Sequence, residues 1–437
     1  MHESISAPPP RSWLAHTALA AAVLTGCAAS TSTSTPTPAA APASSPSAAS
    51  TGVAEGAADE AALLQQRFSR WVAGMRASAR VAGIDEATLR TAFDEVRYLP
   101  RVVELDRAQP EFTRAVWDYL DSAVSPQRVA LGQDKLSQLR SQAEAATARY
   151  GVAPNVIVAI WGIESNYGSN FGDIATIDAL ATLGFDGRRE DWARGQLLAA
   201  LKILQGGDIT RADMVGSWAG AMGQTQFLPS VFLNYAVDAD GDGRRDIWGS
   251  MPDVMASTAN FLARSGWRSD QPWGTEVQLP PGFDPARADT EVRQSSAQWA
   301  AEGVRTMSGA PLPEFADGAI LQPAGARGPA FLVGPNFRAI LRYNNSISYA
   351  LAVGLLAQRL SDGPGVQAPW PRDLPALTRS QTMALQTALN ARGFPSGTPD
   401  GMMGPATREG LRRYQRSVGQ PADGYPTLEI LRRLQDR

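Results

Sequence analysis

The stretch IWGIESNYG, residues 160–168, places Glu164 at the end of an apolar run that is typical of a protein core. Pro154 is suited to a first helical position and Gly168 to a helix end, which predicts a helix of about fourteen residues between them. On this helix the carboxylate shares one face with bulky apolar side chains at spacings of three, four and seven residues, namely Ile157, Ile160 and Trp161.

The position of Glu164 has two interpretations. A carboxyl group held against apolar side chains is partly desolvated, which raises its pKa and allows it to donate a proton near neutral pH, as a general acid must. A glutamate in the last turn of a helix can equally reach solvent and have no chemical role. The spacing alone favours neither.

The N-terminus has the features of a secretory signal. Residues 13–24, WLAHTALAAAVL, are apolar but too few to span a bilayer, and Arg11 precedes them. The following Leu-Thr-Gly-Cys resembles the lipobox of bacterial lipoproteins, in which the signal is cut before the cysteine. We therefore expect a signal peptide at 1–26 and acyl chains on Cys27 that hold the protein on a membrane. The alternative is a cysteine that merely ends the apolar stretch.

The composition narrows the possible chemistry. Lys and Arg number 40 against 43 Asp and Glu, so the chain lacks the basic excess of a nucleic-acid-binding protein. Its two histidines, His2 and His16, lie in the predicted signal, and Cys27 is its single cysteine. These counts exclude Ser-His-Asp and Cys-His triads, His-ligated zinc and disulfides from the mature chain. Catalysis must then use carboxylates, hydroxyls, amides, tyrosine or lysine.

The 437 residues suggest about two or three domains. Residues 27–58 are almost wholly Ala, Ser, Thr and Pro, which predicts a disordered tether. Helical periodicity dominates a large domain at 59–360, except for Pro- and Gly-rich residues 270–335, where TEVQL and AFLVG indicate a small β insertion. A Pro- and Gly-rich linker is predicted at 361–375, followed by a small module at 376–437.

The C-terminal module contains a short internal sequence repeat. PDGMMGPATREGL at 399–411 and ADGYPTLEIL at 422–431 both read Asp-Gly, then Thr, then Leu four residues later, which predicts two short helices that each follow a Gly turn. With the preceding LQTALNARGF, the stretch resembles the peptidoglycan-binding domain type 1. A generic helical cap with two similar turns is the alternative.

Several motifs of the large domain together carry a second resemblance. They are DRAQPEF at 106–112, SPQRV at 125–129, IWGIESNYGSNFG from 160, the following DALATLGF, AGAMGQTQFLPS at 219–230 and RYNNS at 342–346. Residues 60–360 thereby resemble the membrane-bound lytic murein transglycosylase B family. This implies a mainly α, lysozyme-like catalytic domain with a small β insertion, joined to a small three-helix-type module, and a reaction that needs no cofactor.

The resemblance also implies roles for individual residues. The glutamate of the ES-N-Y-G motif is the single acid and base in that family, which assigns this role to Glu164. Four positions that line the family's glycan cleft correspond to Ser217, Gln226, Tyr343 and Asn344. Ordinary turn chemistry is the alternative for Ser217 and Gln226, and a core aromatic role is the alternative for Tyr343. Gln224-Thr225 is a departure, because close relatives have Tyr-Gly there.

An acidic loop, DADGDGRRDIWG at 238–249, matches the start of an EF-hand. Position 12, which requires a bidentate Glu, is Gly249, so the loop is incomplete. Asp253 is a candidate to close it, by resemblance to the family. A structural Ca²⁺ is therefore expected, and a solvated acidic turn is the alternative. The candidate ligands are Asp238, Asp240, Asp242, Arg244 at position 7, Asp246 and Asp253.

These features together predict a lytic transglycosylase that cleaves the bond between N-acetylmuramic acid and N-acetylglucosamine and forms a 1,6-anhydro end. Its expected partners are peptidoglycan glycan strands and, through the lipid anchor, a membrane, with no nucleic acid. We expect a monomer on the periplasmic side of the outer membrane of a Gram-negative bacterium. A non-catalytic peptidoglycan-binding scaffold and a hydrolytic muramidase remain the alternative functions.

Overall fold

The computed structural model of the chain describes residues 49–108 and 114–436, and the side chains of residues 59–107 and 114–436. The expected signal peptide and the lipidation site at Cys27 lie outside the described residues. Helix α1 (Ala49–Val81) begins inside the predicted tether, whose end at residue 58 is therefore corrected. Ala and Glu are frequent in its first turns, and both favour helix over extended chain. No helix among the described residues has the length and apolar character that a membrane crossing requires.

The large domain is helical before the β insertion, as predicted. Asp85 caps the second helix by accepting a hydrogen bond from the Thr88 N–H at 2.7 Å, and Ser125 followed by Pro126 begins the fifth. The helices are α2 (Glu86–Phe93), α3 (Pro100–Ala108), α4 (Val116–Ala123), α5 (Pro126–Gln138), α6 (Arg140–Tyr150), α7 (Pro154–Ser165), α8 (Thr176–Asp186), α9 (Glu190–Gly206), α10 (Pro229–Tyr235) and α11 (Met251–Arg264).

The predicted β insertion is a five-stranded antiparallel sheet in the order β4-β6-β7-β3-β5. Its strands pack on both faces: Phe331 and Val333 of one strand join the main helical core, whereas Leu332 lies opposite, in a second core with Trp299 and Phe315. Its strands are β3 (Gly274–Gln278), β4 (Arg293–Gln294), β5 (Arg305–Thr306), β6 (Gly318–Leu321) and β7 (Ala330–Val333), and a separate pair joins β1 (Ile174–Ala175) to β2 (Val215–Gly216).

Helices close the large domain after the sheet and build the C-terminal module. Helix α12 (Ser296–Ala301) lies between two strands of the sheet, and α13 (Pro335–Tyr343) and α14 (Ile347–Leu360) follow it. The module consists of three helices around a core of its own, which contains Leu385, Leu389, Leu411 and Leu431. These helices are α15 (Arg379–Ala391), α16 (Pro405–Ser417) and α17 (Leu428–Gln435).

The segment predicted as a linker, residues 361–375, is packed against the large domain. The ring of Trp370 lies 6.3 Å from that of Trp117, and the Glu276 carboxylate accepts hydrogen bonds from the N–H groups of Gln367 and Ala368 at 2.7 and 2.8 Å. Frequent Pro and Gly correctly indicate a stretch without helix or strand. Such a composition does not show whether the segment packs against the rest of the protein, and in this structure it does.

Candidate active site

Helix α7 carries Glu164 on its last turn. The residues from Val156 to Ile163 are all buried, so the helix is enclosed on every side and not only on the face that the spacing indicated. Glu164 itself is half-buried. The helix ends at Ser165, three residues before the predicted Gly168, because Asn166 and Tyr167 both adopt left-handed backbone with φ of 48° and 58°.

Backbone strain is concentrated next to this glutamate. Among the described residues only four other than glycine have positive φ: Asn166, Tyr167, Gln226 and Asp362. Such conformations cost of order 1–3 kcal/mol each and persist only where surrounding contacts hold them. Three of the four flank the candidate site.

The contacts that hold the turn after α7 are specific. The hydroxyl of Tyr167 donates a hydrogen bond to the Arg128 carbonyl at 2.9 Å, and its ring packs edge-on against Trp161. A Cβ at Gly162 would lie 2.5 Å from that ring, so only glycine leaves room for it. The Arg128 guanidinium donates to the Gly162 carbonyl at 2.7 Å and binds the C-terminal end of the helix.

A tyrosine from another helix bonds the glutamate directly. The hydroxyl of Tyr349, on the first turn of α14, donates a hydrogen bond to Glu164 Oε1 at 2.6 Å. Burial, together with the negative charge of Glu164, raises the pKa of Tyr349 well above its usual range. The phenol therefore keeps its proton at neutral pH and acts as a hydrogen-bond donor that orients the carboxyl group.

Tyr343 stacks beside Tyr349, with the ring centroids 6.4 Å apart. It is buried, and its hydroxyl donates to the Thr225 carbonyl at 2.7 Å, which matches the core aromatic interpretation. Burial and the charge of Glu164 raise its pKa as well. The neighbouring Asn344 is half-buried and ends α13.

Ser217 and Gln226 bind backbone in the Gly-rich segment. The buried Ser217 hydroxyl accepts a hydrogen bond from the Ala221 N–H at 3.1 Å. The amide nitrogen of Gln226 donates to the carbonyls of Phe171 and Gly223 at 2.8 and 2.9 Å. Both side chains thus make the local backbone contacts that the turn interpretation describes, and Gln226 ties the Gly-rich segment to the chain just after α7.

Gln224, noted from the sequence as a departure from the family that the chain resembles, connects three segments. Its Oε1 accepts from the Trp161 indole N–H at 2.8 Å, and its Nε2 donates to the Trp248 carbonyl at 2.6 Å. Its backbone N–H donates to the Ile247 carbonyl at 2.8 Å. The residue is only 8% exposed, so these bonds are shielded from water. Gln224 therefore joins the helix that bears Glu164 to the acidic loop.

The acidic loop brings together three of the six candidate metal ligands. Carboxylate oxygens of Asp238, Asp240 and Asp253 lie within 4.8 Å of one another. Such a set of hard oxygen donors fits Ca²⁺, and Asp253 is one of its three members. Burial raises the pKa of the Asp253 carboxyl, although it accepts backbone N–H groups of Ala239 and Asp246 at 2.7 Å each.

The remaining candidate ligands make other contacts. The Asp242 carboxylate pairs with the Arg244 guanidinium at 2.9 Å, and both side chains are largely exposed. Asp246 Oδ1 accepts the N–H groups of Trp248 and Gly249 at 2.9 and 2.8 Å. These side chains stabilise the loop outside the cluster.

Sequence reasoning missed Tyr349 and the bridging role of Gln224. Tyr349 lies in a largely apolar helical stretch, SYALAVGLLAQRL, where no local pattern distinguishes its hydroxyl. Gln224 was noted for its difference from relatives, but its partners Trp161 and Trp248 are 63 and 24 residues away. Nothing in their spacing indicates that they meet.

A mainly helical domain that presents one half-buried glutamate at the end of an enclosed helix, and carries a small sheet, has a lysozyme-like architecture. The family comparison makes this specific. Residues 67–358 match the transglycosylase SLT domain, and residues 378–434 match the putative peptidoglycan binding domain. The chain belongs to the transglycosylase SLT domain family, and it is an enzyme of the lytic transglycosylase class that acts on peptidoglycan.

Individual relatives agree with this assignment. Membrane-bound lytic murein transglycosylase B of Escherichia coli K12 is 32% identical over 295 residues, which are 64% of this chain and 79% of the relative. SltB3 from Pseudomonas aeruginosa, solved with NAG-anhNAM-pentapeptide, is 52% identical with a TM-score of 0.82, covering 84% of this chain and 99% of that one. Lytic transglycosylase Slt35 of E. coli, solved with calcium, is 30% identical with a TM-score of 0.58, covering 68% and 92%.

Proposed function

We propose that the chain cleaves the β-1,4 bond between N-acetylmuramic acid and N-acetylglucosamine in peptidoglycan and leaves a 1,6-anhydromuramic end. Glu164 acts as the single acid and base. The observation that carries the proposal is the half-buried Glu164 carboxyl group at the end of a buried helix, oriented by the Tyr349 hydroxyl at 2.6 Å. A fixed carboxyl group in a partly desolvated site is suited to proton transfer in both directions.

The reaction needs one group that changes from acid to base. The Glu164 carboxyl gives its proton to O4 of the N-acetylglucosamine leaving group as the bond from that oxygen to muramic C1 breaks. The resulting carboxylate takes the proton of the muramic C6 hydroxyl, whose oxygen forms the new bond to C1. Glu164 ends protonated, as it began, and water is not consumed.

A single carboxylate is sufficient for this reaction. The charge of Glu164 raises the pKa of both Tyr343 and Tyr349, which places its carboxylate beside both phenols. Glycosidases that use an enzyme nucleophile place a second carboxyl group about 5–5.5 Å from the first. A substrate that supplies its own C6 hydroxyl has no need of one.

Product analysis tests this function. The mature chain is incubated with isolated sacculi, and the soluble fragments are analysed by mass spectrometry. Fragments with anhydromuramic ends are the expected result. Reducing muramic ends, heavier by one water, would show a hydrolytic muramidase instead, and a lack of soluble fragments would show a scaffold.

We further propose that Ca²⁺ binds the acidic loop in a structural role. The carboxylates of Asp238, Asp240 and Asp253 form a compact set of oxygen donors, and the related Slt35 was solved with calcium. The loop is fixed to the body of the domain, since Arg245 pairs with the buried Asp208 at 2.6 Å. The residues of the loop take no part in proton transfer, so the ion would stabilise the domain.

The wall and membrane attachments are also proposals. We propose that the C-terminal module holds the enzyme on peptidoglycan and that acylated Cys27 anchors it to the outer membrane, facing the periplasm. The module's match to a peptidoglycan binding domain and the name of the membrane-bound E. coli relative support them. Deletion of residues 376–437 should weaken retention on sacculi, and Cys27→Ala should abolish acyl labelling. Equal pull-down or persistent labelling would contradict the respective proposal.

A further inference from the structure

The C-terminal module is docked on the large domain through charged and polar contacts. Arg412, on α16, pairs with Asp289 of the β insertion at 3.1 Å, and its side chain is only 11% exposed. The Asp423 carboxylate accepts a hydrogen bond from the Ala326 N–H at 3.0 Å. Tyr425 packs against the main core of the large domain. These contacts define a crevice between the module and the β insertion.

Several hydrogen-bond donors in the crevice lack an acceptor among the described residues. Arg408 lies one helical turn before Arg412. Desolvation by the surrounding atoms lowers the pKa of Arg408, the charge of Arg412 lowers it further, and the charge of Asp289 opposes this shift. No hydrogen bond or ion pair joins the Arg408 guanidinium to another residue of the described chain. Asp289 is already paired with Arg412, so two guanidinium groups share one carboxylate.

Two further donors in the crevice lack acceptors. The Nε of Arg412 is buried and has no hydrogen-bond partner among the described residues. It lies so close to Gly424 that a Cβ at that glycine would be 3.3 Å away. The hydroxyl of Tyr425 also has no partner in the described part of the chain. Burial raises the pKa of Tyr425 to about 12, so this hydroxyl keeps its proton and can donate.

The nearby carboxylate of Asp423 does not offset this excess of donors. Its Oδ2 accepts from Ala326, and its Oδ1 accepts from the Gln415 amide and the Tyr425 N–H at 2.7 and 2.9 Å. A buried guanidinium N–H without an acceptor destabilises the folded chain, because it has lost its bonds to water and gained none in exchange. A bound anion would supply the acceptor that the Arg408 guanidinium and the Tyr425 hydroxyl lack, and the positive charge of Arg412 would favour it, although the buried Arg412 Nε itself is out of reach of a ligand.

We propose that Arg408 and Tyr425, beside the positive charge of Arg412, form a carboxylate-binding site in this crevice, and that its ligand is a carboxylate of the peptidoglycan stem peptide. The choice of ligand rests on the proposed function. A planar guanidinium matches a carboxylate through paired hydrogen bonds. The module's charge fits the same ligand, since residues 376–437 contain nine Arg, no Lys and five Asp or Glu, within a chain of net charge −3. Arg408 remains exposed to solvent and is thus accessible to a peptide.

Binding of a synthetic stem pentapeptide tests the site directly. Calorimetry compares this peptide with the same peptide amidated at every carboxyl group, using the full mature chain. We expect the acid form to bind about tenfold more tightly than the amide, and Arg408→Gln to remove most of that difference, since one charge-assisted hydrogen bond is lost. Tyr425→Phe, which removes only the hydroxyl, should reduce the difference by a few-fold.

Arg432→Gln is the matched control. It removes the same charge from an exposed position on α17, and Arg432 is not among the charges that act on Arg408. It should keep the full preference for the acid form. Equal binding of acid and amide, no effect of Arg408→Gln, or an equal loss with Arg432→Gln would each overturn the site.

The result is separable from the proposed function. If sacculi yield anhydromuramic ends but the pentapeptide shows no preference that depends on Arg408, the crevice site is wrong and the cleavage reaction stands. If the pentapeptide binds through Arg408 but sacculi yield no anhydro ends, the site stands and the cleavage reaction is wrong.

Discussion

The acidic loop at residues 238–249 and the end of helix α7, which carries Glu164, differ in what their carboxylate oxygens contact. In the acidic loop, Asp238 accepts the N–H groups of Gly241 and Gly243 at 2.7 and 3.0 Å, so its charge stabilises a turn. Glu164 instead accepts a hydrogen bond from the hydroxyl of Tyr349, which lies 185 residues later in the chain. The loop carboxylates are close together and suit a cation, whereas Glu164 is held in position among apolar side chains. The number of carboxylates in a segment is therefore a poor guide to whether it can transfer protons, because the groups around each carboxylate decide its role.

The largest effect should come from Glu164→Gln. The amide keeps the shape of the side chain but cannot carry a proton between the leaving oxygen and the C6 hydroxyl, so kcat on sacculi should fall by at least about 1,000-fold. Release of soluble muropeptides measures this loss. Asp242→Asn, the same change in the acidic loop, should leave activity within about twofold. Substantial turnover by Glu164→Gln would show that Glu164 is not the catalytic acid and base.

Tyr349→Phe should give the next largest loss. Without the phenol donor the carboxyl group loses its fixed orientation, and we expect kcat to fall about tenfold with little change in KM. Steady-state kinetics on soluble glycan fragments separates the two constants. Tyr343→Phe is the comparison, because its hydroxyl bonds the Thr225 carbonyl and not Glu164. A larger kcat loss in Tyr343→Phe than in Tyr349→Phe would contradict this assignment.

Gln224→Leu tests the connection between the two regions. It leaves the Trp161 indole N–H and the Trp248 carbonyl without their partner in a buried place, which should cost about 2–4 kcal/mol of unfolding free energy. Because Trp161 lies one turn before Glu164, kcat should also fall by a few-fold. Denaturant unfolding and kinetics measure both quantities. Gln226→Leu serves as control, since it breaks bonds to Phe171 and Gly223 but none to Trp161. An unfolding free energy equal to that of the wild type in Gln224→Leu would show that the hydrogen bonds of Gln224 to Trp161 and Trp248 do not stabilise the domain.

The smallest effect concerns calcium. Millimolar Ca²⁺ should raise the melting temperature by a few degrees, and excess chelator should reverse the rise, because a ligand that binds only the folded state stabilises it. Asp240→Asn should abolish the response, whereas Asp242→Asn, outside the carboxylate cluster, should retain it. Calorimetric melting curves with and without the ion provide the measurement. A response lost equally in both variants would place Asp242 among the ligands.

Local patterns were sufficient for much of this protein. The apolar run before Glu164, the Pro154 start of its helix, the Asp-Gly turns of the module and the β insertion are all visible in short windows, because helix, turn and strand preferences are local properties. The amino-acid counts, combined with the predicted cleavage of the signal peptide, likewise argue against histidine and cysteine chemistry. Motif resemblance then indicated the enzyme class, which the family comparison confirmed.

Tertiary structure decided which side chains meet. Tyr349 reaches Glu164, Gln224 joins Trp161 to Trp248, and Arg412 reaches Asp289 across 123 residues, although no spacing rule relates these positions. The end of α7 also moved to Ser165, because contacts from Tyr167 impose a left-handed turn that residue preference alone disfavours. Such pairings depend on how helices pack over long distances in the chain, and local preferences contain no information about them.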